Sequence, residues 1–212
     1  MEKKRFIFDI DGTLLIPDWN YEELYFSSVL DKADFEVFYP QIPKLLEEYE
    51  KSFPRYDINA LSRFLTMKSG VLITPEIITG WNKSLSETNP VIIDGVVDSL
   101  EYLKSKDKSL VVLTNWFLEP QRERLINSGL GQYFDFVYGG ELGIKPSPEI
   151  YKIACGDFDI ESSIMIGDSL DFDVYGPFSV GMDSIFYNPK NKEYDKEKVK
   201  SIGSMKKIKE MF

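Results

Sequence analysis

Short runs of β-branched and aromatic residues alternate along this chain with longer segments whose apolar residues recur at helical spacing, and that alternation constrains the fold most. Strands joined through intervening helices pair in parallel, so the expected class is α/β, a parallel sheet covered by helices. The predicted strands are Arg5–Ile10, Leu110–Thr114, Phe134–Tyr138, Ser163–Gly167 and Asp183–Tyr187. Between them, Asp94 is expected to cap a helix carrying Val96, Val97, Leu100 and Leu103 on one face. A second helix is expected from about Pro120 to a stop at Gly129. Ser147-Pro148 opens a third, and a fourth is expected from near Asp171 to Gly181, with Pro177 inside it.

One interval breaks the alternation. Residues 16–88 offer amphipathic segments at Tyr21–Ala33, Phe35–Tyr49, Ile58–Lys68 and Pro75–Leu85, the last opened by Thr74-Pro75, and no convincing strand pair. The expectation is a small all-helical domain of residues 16–88 inserted into a core of residues 1–15 and 89–212, with breakpoints at Pro17 and Asn89-Pro90. The insert holds 12 aromatic residues, which are expected to form mainly its own core.

Composition removes much chemistry. With no histidine there is no Ser-His-Asp or Cys-His pair, no His-ligated zinc and no imidazole acid or base. The single cysteine forbids an intramolecular disulfide and a Cys-rich metal site, which fits a reducing compartment; a cytoplasmic location is the expectation. No signal-peptide pattern and no run long enough to cross a bilayer is present, so no membrane partner is expected. A net charge of −10 argues against nucleic acid as a partner. The lysine-rich tail after residue 187 reads as a solvated terminal strand and helix rather than a binding arm.

In open parallel sheets, ligands bind outside the carboxyl ends of the strands. Four such ends are chemically loaded here. The first strand runs into Asp9-Ile10-Asp11-Gly12-Thr13, where two acids two residues apart point to one side of an extended chain. The second ends in Thr114-Asn115, the third is followed by GGELGIKPSPE with Lys145, and the fourth ends in Gly167-Asp168-Ser169-Leu170-Asp171-Phe172-Asp173. A calcium-loop reading of the first fails, because its glycine stands fourth rather than sixth and Asn20 occupies the twelfth position. Any one of these ends alone is an ordinary turn, cap or solvated side chain. Together, at successive strand ends of one sheet, they describe a phosphoryl site. Converging carboxylates need a cation, and an oxygen-only ligand set suits Mg²⁺. Lys145 supplies a second positive charge and Thr114 a hydroxyl donor for a phosphate dianion. One carboxylate is free to attack phosphorus while another carries the leaving group's proton.

The segments FDIDGTLL, VVLTN, GIKPSPEIY and MIGDSLDFD, in that order, resemble the four motifs of the haloacid dehalogenase superfamily. The resemblance spans Asp9 to Asp173 and implies a Rossmann-like core, with residues 16–88 as a helical cap. It implies Asp9 as nucleophile, Asp11 as general acid and base, and Thr114 with the Asn115 backbone as phosphoryl-binding groups. Lys145 would bridge the phosphoryl oxygens and Asp9. Mg²⁺ would be held by Asp9, Asp168 and the main-chain carbonyl of Asp11, with Asp173 in its outer shell and Asp171 on the surface. The acid at Asp11 points to the phosphatases and phosphomutases of that superfamily rather than its dehalogenases, because halide needs no proton. The expected activity is Mg²⁺-dependent hydrolysis of a small phosphorylated metabolite such as a nucleotide, sugar phosphate or phosphoglycolate, by a monomer or small homo-oligomer. A sugar-phosphate mutase is the nearest alternative. A non-catalytic phosphoacceptor or binding module is the alternative from another class. Receiver domains of that kind place their Lys after the last acid and carry no helical insert.

Overall fold

A computed structural model describes residues 2–212. In chain order its main elements are β1 (Arg5–Phe8), β2 (Leu15–Ile16), α1 (Asn20–Val29), α2 (Lys32–Phe38), α3 (Ile42–Ser52), α4 (Ile58–Ser69), α5 (Pro75–Ser86), β3 (Val91–Ile92), α6 (Val96–Ser105), β4 (Ser109–Leu113), α7 (Leu118–Asn127), β5 (Phe136–Tyr138), α8 (Pro148–Cys155), β6 (Ser163–Gly167), α9 (Gly176–Ser179), β7 (Asp183–Tyr187), β8 (Ser201–Ile202) and α10 (Ile208–Met211).

Six strands form one sheet in the order β5-β4-β1-β6-β7-β8, and every neighbouring pair is parallel. β1 lies between β4 and β6, with Phe8 opposite both Val112 and Ile166. The carboxyl ends of β1, β4 and β6 therefore meet at one sheet edge. Successive residues of the central strands face opposite sides, and both sides are apolar, as burial under two helical layers demands. Phe6, Phe8, Leu110, Val112, Ile164 and Ile166 pack with α6 residues Val96, Leu100 and Leu103. Ile7, Val111, Leu113 and Met165 pack with α8 residues Ile150, Tyr151 and Ala154.

Helices α1–α5 lie between β2 and β3, which pair antiparallel with Leu15 opposite Ile92 and Ile16 opposite Val91. This ribbon at the foot of the insert was not expected, since two residues per strand leave no periodicity to read. The first two expected insert helices are divided differently, because the chain breaks at Leu30, whose backbone is extended. Asp31 then caps α2 by accepting from the Asp34 N–H, and Pro40 lies in a short 3-10 turn before α3. α4 and α5 begin where the sequence placed them, with Thr74 accepting from the Ile77 N–H. The insert's aromatics do form its core: Phe26, Phe38, Tyr49, Tyr56, Phe64 and Trp81 are buried in one cluster, which also takes in Phe117 and Ile144.

Three further expectations need correction. α6 is not capped by Asp94; the chain enters it through Gly95 at φ 81°, and the Asp94 carboxylate pairs with Lys206 2.8 Å away on the surface. The fourth expected helix is a π-helical turn over Leu170–Tyr175 followed by the short α9, with Pro177 in the first turn of α9, where its missing N–H costs nothing. The tail is not solvated throughout: β8 extends the sheet, and Ile202, Met205 and Ile208 are buried against α6 and the central strands. Among the described residues no helix is long and apolar enough to cross a membrane.

Candidate active site

Burial of β1 on both faces fixes Asp9 immediately beyond its last residue, and the chain then reverses. Gly12 carries φ +83°, and the Leu14 and Leu15 N–H groups both donate to the Ile10 carbonyl, at 2.9 and 3.0 Å. A Cβ at Gly12 would lie 2.8 Å from Asp168 Oδ2, so glycine is required here both for its backbone and for the approach of the fourth strand end. Gly167 has the same second role, because a Cβ there would fall 2.2 Å from the Asp173 carboxyl.

Lys145 is the hub. Its side chain is buried, and its Nζ donates to Asp9 Oδ1 at 2.8 Å and to Asp173 Oδ1 at 2.7 Å. Asp173 is fixed in turn by the Ser169 N–H on Oδ2 at 3.1 Å. The Lys145 backbone is clamped by the Asn115 amide, whose Oδ1 accepts from the Lys145 N–H at 2.7 Å and whose Nδ2 donates to the Lys145 carbonyl at 3.2 Å. Asn115 thus ties the loop after β5 to the end of β4. Thr114 is buried beside it, its Oγ1 accepting from Gln121 Nε2 at 3.2 Å.

Carboxylate oxygens of Asp9, Asp168 and Asp173 lie within 4.8 Å of one another. Burial pushes the Asp9 carboxyl upward, Lys145 pulls it down, and Asp173 and Asp11 push it up again. Burial raises Asp168 as well, with Asp173 adding to it and Lys192 opposing. For Lys145, burial alone would lower the pKa, but Asp173 and Asp9 more than reverse it, so the ammonium is retained. Crowded, partly desolvated carboxylates that resist ionisation are the environment in which a hard divalent cation binds well, and the oxygen-only donor set fits Mg²⁺.

The structure thus gathers Asp9, Lys145, Asp168, Asp173, Thr114 and Asn115 at one edge, and leaves Asp171 exposed. The Asp11 carboxylate is held apart from the other three. Arg124 Nη2 donates to its Oδ1 at 2.8 Å and Nη1 to its Oδ2 at 3.1 Å, and Gln121 Nε2 adds 3.0 Å to Oδ2. Arg124 and Gln121 are both buried on α7 and are joined to each other at 2.7 Å. Sequence reasoning missed this pair. The signal was available: two polar residues spaced i, i+3 stand beside Leu125 on the inward face of the helix that follows Thr114-Asn115.

The insert closes one side of a cavity of about 320 Å³ over these residues. Trp116 packs edge-on to Trp81 of α5, with ring centroids 4.7 Å apart, and lies 5.2 Å from Tyr56. The Tyr56 N–H donates to the Gly140 carbonyl at 2.8 Å and the Ile144 N–H to the Pro54 carbonyl at 3.1 Å. The insert therefore rests on the loops that carry Asn115 and Lys145. Glu22 of α1 and Glu50 of α3 also line the cavity. Burial raises both, Glu22 to about 7, and Glu50 accepts from the Tyr56 hydroxyl at 2.9 Å.

The raised Glu22 makes stability pH-dependent with a definite sign. Its folded pKa exceeds the 4.5 of an ordinary Glu, so between those values the folded state binds more protons and stability falls as pH rises. Glu22→Gln removes that loss. Between pH 5.5 and 8.5 the variant is expected to gain about 2 kcal/mol relative to the parent, or about 4–8 °C in Tm. Thermal melts of both proteins at the two pH values check this; melting curves that stay parallel would contradict it.

A family model described as haloacid dehalogenase-like hydrolase matches residues 6–187. The chain is 27% identical over 196 residues to a glyceraldehyde 3-phosphate phosphatase of Pyrococcus furiosus, covering 87% of this chain and 80% of that one. It is 38% identical over 106 residues to the pyrimidine 5'-nucleotidase PynA of Streptococcus pneumoniae, covering 48% of this chain and 45% of the other. Among solved structures, the HAD-hydrolase YfnB of Bacillus subtilis, bound to magnesium, superposes with a TM-score of 0.73 at 23% identity, covering 100% of this chain and 99% of that one. The motifs, the parallel sheet that carries them and a family match over most of the chain place this protein in the haloacid dehalogenase-like hydrolase family.

Proposed function

We propose that this protein is a Mg²⁺-dependent phosphatase that hydrolyses a small phosphorylated metabolite through a phosphoaspartyl enzyme at Asp9. The observation that carries the reading is the placement of Lys145 between Asp9 and Asp173, with Asp168 alongside, at the junction of β1, β4 and β6. The similarity to a glyceraldehyde 3-phosphate phosphatase and a pyrimidine 5'-nucleotidase supports monophosphate ester hydrolysis.

In this reading a carboxylate oxygen of Asp9 attacks phosphorus, the ester P–O bond breaks, and Asp11 gives its proton to the departing alkoxide. Water then attacks the phosphorus of the aspartyl phosphate, Asp11 takes its proton back, and the Asp9 carboxylate leaves with phosphate released. Lys145 holds positive charge against the phosphoryl oxygens throughout, and Thr114 donates its hydroxyl to them. Arg124 and Gln121 engage both oxygens of Asp11 in the structure, so Asp11 carries a proton only once it turns from that pair toward the leaving group. Asp9, Asp168 and the main-chain carbonyl of Asp11 would hold a Mg²⁺, with Asp173 in support, and the ion would supply further charge neutralisation at the phosphoryl group. Residues 16–88 act as a cap over the core of residues 1–15 and 89–212, excluding water around the transferring group.

A phosphate-release screen over phosphorylated metabolites tests this directly. Release with Mg²⁺ that a chelator abolishes and excess Mg²⁺ restores is the expected result. Release undiminished by chelator would contradict the metal-dependent reading, and no release from any ester, p-nitrophenyl phosphate included, would remove the phosphatase.

A further inference from the structure

The cavity is walled asymmetrically in charge. Its core side carries both of its cations, and each is committed: Lys145 to Asp9 and Asp173, and Arg124 to Asp11. The side built by the insert contributes Asp18, Glu22 and Glu50 and no cation. Trp19 and Tyr21 from the insert and Trp116 from the core also line the cavity.

We propose that the non-phosphate half of the substrate is an uncharged, hydroxyl-bearing group, and that Asp18, Glu22 and Glu50 make the site reject esters carrying a second anion. This deepens the phosphatase reading and rests on it. A phosphoryl group seated at Lys145 sends the remainder of its ester toward the insert. A hydroxyl there donates to Glu22 or Glu50, and the carbon skeleton meets the aromatic side chains of the lining. A carboxylate or second phosphate in the same place meets three acids on a wall that supplies no cation, while Lys145 and Arg124 across the cavity are already paired, so like charges repel there. Sugar bisphosphates, phosphoglycolate and phosphoglycerate are therefore poor substrates, whereas monophosphates of neutral polyols, sugars or nucleosides are accepted.

Glycerol 3-phosphate and 3-phosphoglycerate form a matched pair, since they differ by a hydroxymethyl group in place of a carboxylate. With Mg²⁺ at pH 8, kcat/KM is expected to be at least about tenfold higher for glycerol 3-phosphate. Glu22→Gln and Glu50→Gln together are expected to narrow that ratio several-fold. Asp18→Asn, on an exposed residue whose change leaves the packing intact, is expected to narrow it in the same direction. An equal or reversed preference in the parent enzyme would overturn the proposal. So would a tenfold preference that persists unchanged in all the folded variants, because another feature would then be discriminating. p-Nitrophenyl phosphate separates the two levels. Turnover of it alongside a preference for the anionic ester overturns only this inference, while no turnover of any ester overturns the phosphatase reading and this inference with it.

Discussion

Asp9→Asn is expected to lower Mg²⁺-dependent hydrolysis of p-nitrophenyl phosphate by at least about 10⁴-fold, the scale on which removal of a covalent nucleophile acts. The carboxamide is nearly the size of the carboxylate, but it cannot attack phosphorus under these conditions. The substitution should leave the fold in place, because Lys145 keeps its 2.7 Å partner Asp173 and Asp173 keeps the Ser169 N–H. A circular dichroism spectrum and melt close to those of the parent, combined with lost turnover, distinguish a missing nucleophile from a damaged protein. Activity within tenfold of the parent would mean that Asp9 does not form the covalent bond.

Lys145→Met is the second large effect, and it has two parts. Turnover is expected to fall by about 10³-fold or more, since in the proposed reaction the buried Lys145 ammonium supplies positive charge to the transferring group. In chelator, stability is also expected to fall, by about 3–5 kcal/mol, because the Asp9 and Asp173 carboxyls lose the buried partner that compensates both and must stay charged without it or take up a proton. Mg²⁺ should recover part of the stability and little of the activity, since it neutralises the carboxylates without replacing the Lys145 contacts to substrate. Chemical denaturation with and without Mg²⁺, run beside the activity assay, reads both parts. A variant as active as the parent would contradict the role given to Lys145.

Much of this site was legible because it lies where strand ends must converge. Ser163–Gly167 and Asp183–Tyr187 form strands with the expected limits, and the other expected strands differ by one or two residues: β1 and β4 stop short where the chain turns at the site edge, β4 starts one residue early, and β5 starts two residues late. Buried parallel strands announce themselves as apolar runs, so Asp9, Thr114 and Asp168 could be assigned to one edge from order alone. The Arg124–Asp11 pair was hidden because an arginine in an amphipathic helix normally points to water, and only the path of α7 past the Asp11 turn brings it inward. The tail misled for a related reason. Its lysines are exposed as their charge suggests, yet Ile202, Met205 and Ile208 between them carry the burial, too sparsely spaced to stand out among charges. The ribbon of β2 and β3 is set by the two chain crossings into and out of the insert, and no local pattern of two residues reports that.

The covalent step at Asp9 is the centre of this account, and reductive trapping tests it most directly. Enzyme turning over a good substrate with Mg²⁺ is quenched with borohydride, which reduces an acyl phosphate to the alcohol, and the peptide containing residues 5–9 is then examined by mass spectrometry. Conversion of Asp9 to homoserine, dependent on substrate and absent from Asp9→Asn, is the predicted result. An unmodified Asp9 in enzyme that is demonstrably turning over, or a reduced residue at another carboxylate, would contradict it.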